Sequence, residues 1–316
     1  MTATKAQCIF LDRNSIDCGD MDFSLIDSLT QFKMLDTCSS DEVVSKAGNA
    51  EIIISNKVNL GAEHFEQLPK LKLICVIATG TNNIDLVAAE KHGILVRNVK
   101  DYAAASVSQH VFMLILALSS GFIEYQSDIK QGAWQNQNQF CLLSHPMQEL
   151  NGKTIGLIGY GHIAQSVERI ALAFGMKVLI AQSFNPANRQ ENRTDLQTLL
   201  AQSDVISLHC PLTEQTRHLI AQDEFSTMKP SAIIINTARG GIIHESDLLN
   251  ALKTGEIAAA GIDCLATEPP AANDPMITAN LPQLIITPHN AWGSVQARQR
   301  LVDGTAQNID NFLKLS

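Results

Sequence analysis

The segment TIGLIGYGHIA at residues 154–164 constrains this chain more than any other: an apolar strand runs into Gly-x-Gly-x-x-Ala and then into an amphipathic helix. Gly159 suits the tight turn that closes the strand, Gly161 lets the backbone approach a phosphate, and Ala164 keeps helix and strand in close contact. Amides between and after the glycines, His162 and Ile163 among them, face an anion resting on the helix N-terminus. This is the pyrophosphate cradle of a doubly wound sheet, so a nicotinamide dinucleotide is the expected cofactor, NAD with NADP as the variant. A glycine-rich turn without a ligand is the competing interpretation, and the flanking strand and helix argue against it.

A nucleotide domain begins at its own first strand, so apolar runs upstream of that segment must belong to something else. Such runs occur at 8–11, 52–54 and 73–77, and again at 154–158, 178–181, 205–208, 232–235, 258–262 and 284–286, with helix-like segments between them. This alternation predicts an α/β fold with parallel sheets covered by helices, split into two doubly wound domains. A chain of 316 residues with 45% hydrophobic content can bury two cores. Residues 103–118 read as a long helix, and the Gln- and Asn-rich stretch 126–139, carrying Trp134, as a surface loop or a dimer arm.

A net charge of −9, with scattered Lys and Arg, argues against a nucleic-acid footprint and for small metabolites as partners. The seven cysteines are far apart and form no Cys-x-x-Cys pair, which fits reduced thiols, suggests no metal site and points to a cytoplasmic protein. The longest apolar stretch, 111–118, is well short of a membrane span.

In open α/β sheets ligands sit beyond the carboxyl ends of the strands, so the residues after each strand are the candidates for chemistry. They are Thr237, Ala238, Arg239 and two glycines; Asp263; Thr287 to His289; and His209, Cys210 and Pro211. Reduction of a 2-oxo acid needs a cation for the carboxylate and a general acid. Arg239 can supply the first, and His289, with Glu268 holding its tautomer, the second. His209 occupies an equivalent position, and physics applied to the sequence does not choose between the two histidines. Cys210 lacks the companions of a nucleophile and reads as structural.

Several separated strings resemble one family in the right order: ATGTNNID at 78–85, ASVSQHVF at 105–112, SLHCPLT at 207–213, INTARGG at 235–241 and TPHNAWGS at 287–294. On these the chain resembles the D-isomer-specific 2-hydroxyacid dehydrogenases, and within them the glycerate dehydrogenase (hydroxypyruvate reductase) branch. The resemblance implies a flavodoxin-like substrate domain at 1–99 and 289–316, a Rossmann NAD(P)-binding domain at 100–288, and an active site in the cleft between them. It implies Arg239, Glu268 and His289 as the catalytic three, which settles the choice against His209, and Thr79, Gly80 and Thr81 as substrate-carboxylate ligands alongside Arg239 and His289. Ser106, Gly159, Gly161, His162, Ile163, Gln182, Cys210, Pro211, Thr237, Ala238, Arg239 and Asp263 would contact the cofactor.

The implied reaction is hydride transfer from NAD(P)H to a small 2-oxo acid, hydroxypyruvate to D-glycerate first, with glyoxylate or pyruvate as alternative substrates. A dinucleotide-sensing corepressor-like protein is the non-enzymatic alternative, and a homodimer is implied. The chain departs from the family at Gln182, where an acid usually grips the adenosine ribose; with Arg189 and Arg193 following, NAD with relaxed discrimination against NADP is expected. His244 and Cys264 stand where the family more often has Asp and Val.

Overall fold

A computed structural model describes residues 5–315. The chain divides into two compact units, Met1–Ala103 with Gly293–Ser316, and Ala104–Trp292.

The first unit is built on five parallel strands: β1 (Gln7–Phe10), β2 (Gln31–Met34), β3 (Ile52–Ser55), β4 (Leu73–Val76) and β5 (Leu95–Asn98). Their order, β2-β1-β3-β4-β5, is the flavodoxin-like doubly wound arrangement. The three central strands are almost wholly buried, as parallel strands covered by helices on both faces must be. The edge strands β2 and β5 do not show as apolar runs, because they are only partly covered and carry polar residues. The C-terminal helix Val295–Leu315 packs against β4 and β5, which returns the end of the chain to this unit.

The second unit holds β6 (Thr154–Ile158), β7 (Lys177–Ile180), β8 (Val205–Leu208), β9 (Ile233–Asn236), β10 (Ala259–Ile262) and β11 (Leu284–Ile286), all parallel, in the order β11-β10-β9-β8-β6-β7. The order reverses between β6 and β8, the switch point at which such sheets bind ligands. Register aligns the last residues of five strands in one row: Ile158 with Leu208, Leu208 with Asn236, Asn236 with Ile262, and Ile262 with Ile286. Every loop that leaves this row therefore starts from the same edge. The buried helix Ala104–Ser119 lies across the sheet, and Gly261 permits it, since a Cβ there would come within 3.0 Å of both Ile235 and Leu114.

Part of the 126–139 stretch is helical, as the helix Phe122–Lys130 continues into it. No single helix among the described residues is long and apolar enough to cross a membrane.

Candidate active site

At the switch point the glycine turn follows β6. Gly159 has φ +89, and a Cβ there would stand 2.6 Å from the backbone of His209 and Cys210, so the approach of β8 itself demands glycine. Gly161 differs. It caps the helix His162–Ala173 in extended conformation, and a Cβ there would meet nothing within 4 Å. The protein's own packing does not require glycine at 161, and the open space it leaves is what a closely approaching phosphate would fill. The amides of Tyr160, Gly161 and Ile163 have no acceptor among the described residues, and the buried hydroxyl of Thr237, just past β9, has no partner either. Unfilled donors and an unfilled space at the same sheet edge fit a dinucleotide.

The adenosine side is already engaged by its own loop. Gln182 donates from Nε2 to the Gln190 carbonyl at 2.9 Å, and its Oε1 accepts from the amides of Ser183 and Gln190 at 3.1 and 3.0 Å. Arg193 lies over the Tyr160 ring, 4.3 Å from its centre, inside the glycine turn, and its buried Nε has no partner among the described residues. The Tyr160 hydroxyl donates to Glu168. Arg189 is exposed.

Three loops leave the β9, β10 and β11 ends with the remaining candidates. The turn after β9 is clamped by Asn236, whose Oδ1 accepts from the Ala238 amide at 3.0 Å and whose Nδ2 donates to the Arg239 carbonyl at 2.9 Å. The Arg239 side chain is exposed, and its only hydrogen bond among the described residues goes to the Ala238 carbonyl, leaving its other donors for a ligand. Gly240 presses on the next loop: a Cβ would fall 1.9 Å from the Leu265 carbonyl oxygen, which no side chain can satisfy. The glycine after the arginine is thus required by a protein backbone, three residues before Glu268.

Glu268 Oε1 accepts from the Leu265 amide at 2.9 Å, leaving Oε2 to meet His289 Nδ1 at 2.6 Å, with both side chains about one-third exposed. A carboxylate can only accept, so this bond keeps a proton on Nδ1. His289 has φ +51, a left-handed conformation uncommon outside glycine and asparagine, and its carbonyl accepts from the Trp292 indole at 2.9 Å. What holds this segment is Asp263. Only 1% exposed, it accepts the Thr287 hydroxyl at 2.5 Å and the Asn290 amide at 3.0 Å on Oδ1, and the Ala291 amide at 3.0 Å on Oδ2.

The Thr287 hydroxyl spends its proton on Asp263, so His110 Nε2, 2.9 Å away, is the donor to it. Burial holds His110 below its ordinary pKa, with Asp263 opposing. Ser106 donates to the Ala291 carbonyl at 2.7 Å. These bonds keep residues 289–292 with the second unit, four residues beyond the boundary read from sequence. Thr287 stood among the strand-end candidates, whereas Asn236 and His110 lay inside the strings INTARGG and ASVSQHVF with no role read for either.

His209, the competing histidine, is in a different state. It meets Ser207 at 2.9 Å, and burial pushes its pKa down to about 4, so it is a neutral packing residue. Cys210 beside it is buried, and burial pushes its thiol up to about 11, which disfavours the thiolate. Cys264, 2% exposed next to Asp263, is held above the ordinary thiol range by burial, and by the carboxylates of Asp263 and Glu268. A cavity of about 450 Å³, lined by Pro269, Pro270, Ile277 and Ile286, opens against the His289–Glu268 pair.

In the first unit, Thr79, Gly80 and Thr81 follow β4. Thr79 is tied by its hydroxyl to the Val99 carbonyl at 3.1 Å and by its carbonyl to Asn98 at 2.5 Å. The three amides have no acceptor among the described residues, a donor cluster suited to a carboxylate.

A dinucleotide cradle at a switch point, with a carboxylate-held histidine and an exposed arginine on the same sheet edge, defines a nicotinamide-dependent oxidoreductase. Residues 112–291 match the family model described as D-isomer specific 2-hydroxyacid dehydrogenase, NAD binding domain. The chain is 42% identical over 305 residues to a glycerate dehydrogenase of Methylorubrum extorquens, covering 96% of this chain and 95% of the relative. It is 38% identical over 312 residues to a hydroxypyruvate reductase of Blautia hydrogenotrophica, covering 97% and 96%. Among solved structures, a D-lactate dehydrogenase with NAD+ from Lactobacillus jensenii superposes with a TM-score of 0.79 at 26% identity, covering 98% of this chain and 97% of the other. The chain belongs to the family of D-isomer specific 2-hydroxyacid dehydrogenases.

Proposed function

We propose that the protein reduces hydroxypyruvate to D-glycerate, and glyoxylate more slowly, with Arg239, Glu268 and His289 as its catalytic residues. The observation that carries this reading is the 2.6 Å pair between His289 Nδ1 and Glu268 Oε2, on the loops that follow β11 and β10, with Arg239 on the loop that follows the neighbouring β9. The names of the two relatives above support the choice of substrate.

A nicotinamide dinucleotide, when bound, supplies the hydride. Gly159, Gly161, His162 and Ile163 would hold its pyrophosphate, and Ser106, Cys210, Pro211, Thr237 and Ala238 would line its path. Arg239 offers a planar fork of donors to the substrate carboxylate and carbonyl. The amides of Thr79, Gly80 and Thr81 are further carboxylate donors. Glu268 keeps the Nδ1 proton in place, so that Nε2 of His289 delivers its proton to the carbonyl oxygen as that oxygen gains charge. Asp263, with its buried bonds to residues 287–291, positions His289, and it is also offered as a contact at the nicotinamide end.

For the cofactor, NAD with relaxed discrimination is the reading. No acid stands at Gln182 to repel a 2′-phosphate, and Arg193, stacked on the glycine-turn tyrosine, can pair with one. A homodimer is supported by exposed apolar side chains concentrated in one stretch, among them Phe122, Ile123, Trp134, Phe140 and Leu143.

The test is oxidation of NADH and NADPH with hydroxypyruvate, glyoxylate and pyruvate in parallel. Highest kcat/KM with hydroxypyruvate supports the reading. Preference for pyruvate would replace the substrate, and dinucleotide binding without turnover of any acid would favour a sensor.

A further inference from the structure

One thiol sulfur, one carboxylate oxygen and one imidazole nitrogen, from Cys264, Glu268 and His289, lie within 4.8 Å of one another. The carboxylate and imidazole belong to the pair described above, whereas the thiol stands where the resembled family more often has valine. Cys264 makes no hydrogen bond among the described residues, and the charges acting on it are the carboxylates of Asp263 and Glu268 and the Arg239 guanidinium. We propose that these three residues form a binding site for a thiophilic divalent cation of the Zn²⁺ class, and that the bound ion blocks the dehydrogenase reaction by taking His289. The second clause rests on the catalytic reading of His289; the binding itself does not.

The donor set carries the argument. Thiolate, imidazole and carboxylate are the ligands of zinc, and three protein ligands with a fourth position open is the usual arrangement of an accessible zinc ion. A thiolate and an imidazole disfavour Mg²⁺ and Ca²⁺, which take oxygen ligands. Bond lengths of about 2.0–2.3 Å around a tetrahedral ion place ligand atoms roughly 3.3–3.7 Å apart. The observed spread of 4.8 Å is therefore closed by side-chain rotation of about 1 Å, and the 2.6 Å hydrogen bond opens by a similar amount. Cys264 and Glu268 sit four residues apart on a loop whose Leu265 amide holds Glu268 Oε1, which leaves Oε2 as the oxygen for the ion. The ion replaces the proton on Sγ, which passes to solvent, and the adjoining cavity gives it a way in. With valine at 264 two donors would remain, too few to compete with water.

The full-length protein is titrated with Co²⁺ as a spectroscopic probe, without substrate or nucleotide. One equivalent is expected to produce a thiolate-to-cobalt charge-transfer absorption in the near ultraviolet, displaced by one equivalent of Zn²⁺. Cys264→Ala and Cys264→Val should each lose that absorption, and Zn²⁺ affinity should fall by about 100-fold, no less than the loss typical of removing an outer-shell partner. Cys18→Ser, at an exposed cysteine, should keep both. Circular dichroism identifies a variant that fails to fold, and the pair of Cys264 variants makes loss of both improbable to arise from packing alone. A cobalt spectrum without the thiolate band, or one retained in folded Cys264→Ala, overturns the site. Stoichiometric binding with undiminished NADH oxidation at saturating Zn²⁺ overturns the inhibition while leaving the site standing.

Discussion

Replacing Asp263 by Asn changes one atom of a side chain that is 1% exposed and accepts three hydrogen bonds. The best orientation of the amide leaves its oxygen facing the Thr287 hydroxyl and the Asn290 amide. Both bonds then lose their charge-assisted character, at about 1 kcal/mol each. The new NH₂ group faces the Ala291 amide at the former 3.0 Å contact, donor against donor, and a buried unsatisfied N–H costs about 1–3 kcal/mol. Against this stands relief of the desolvation cost of a buried carboxylate, so a net loss of about 2–3 kcal/mol is expected. The same bonds hold His289 at φ +51, a conformation that costs of order 1 kcal/mol and persists only while its surroundings enforce it. Urea unfolding should show the stability loss, and steady-state assays should show kcat falling at least about tenfold, the equivalent of 1.4 kcal/mol of lost positioning. A variant within 0.5 kcal/mol of the parent and with unchanged kcat would refute the claim that Asp263 holds the histidine segment.

His289→Asn should lower kcat by about 100-fold or more through loss of the general acid, with NADH binding, read by fluorescence, unaffected; near-normal turnover would remove His289 from the chemistry. Arg193→Gln should lower kcat/KM for NADPH by about 10-fold or more, the worth of a charge-assisted bond to phosphate, and leave the NADH value within twofold; equal loss for both cofactors would mean Arg193 serves the fold. His209 has a folded pKa of about 4 against an ordinary 6.5. At pH 7 it is neutral in both states, and below 6.5 the unfolded chain takes up a proton that the folded one refuses. Stability should then decline by roughly 3 kcal/mol in total as pH falls from 6.5 to 4. His209→Gln should flatten that part of the urea-midpoint profile, and a parallel profile would contradict the buried neutral state.

Most of the architecture was readable before any coordinates. Apolar runs separated by helix-like segments, and a glycine fingerprint at residue 159 rather than near the start, were enough to expect two parallel sheets. The two strands that escaped notice, β2 and β5, lie at sheet edges where partial burial imposes no apolar pattern. The glycine turn is legible as a motif between strand and helix, although only Gly159 is required by the protein's own backbone, through the approach of residues 209–210. Gly240, one of the two glycines that follow Arg239, is required by an approaching backbone, that of Leu265.

Local sequence thus determined the element types, the cofactor turn and the inventory of reactive side chains at strand ends, since each follows from short-range periodicity and backbone stereochemistry. Only the folded chain shows how differently those side chains are surrounded. His209 and His289 are equivalent as letters after a strand; burial beside Ser207 silences one, and a carboxylate 21 residues away in sequence engages the other. Asn236, Asp263 and Thr287 meet because parallel register brings separate strand ends into one row, and His110 reaches Thr287 from the helix that crosses the sheet. Hydrogen bonds between those ends depend on angles and distances of a few tenths of an ångström, set by the packing of the whole sheet and not by any stretch of residues taken alone.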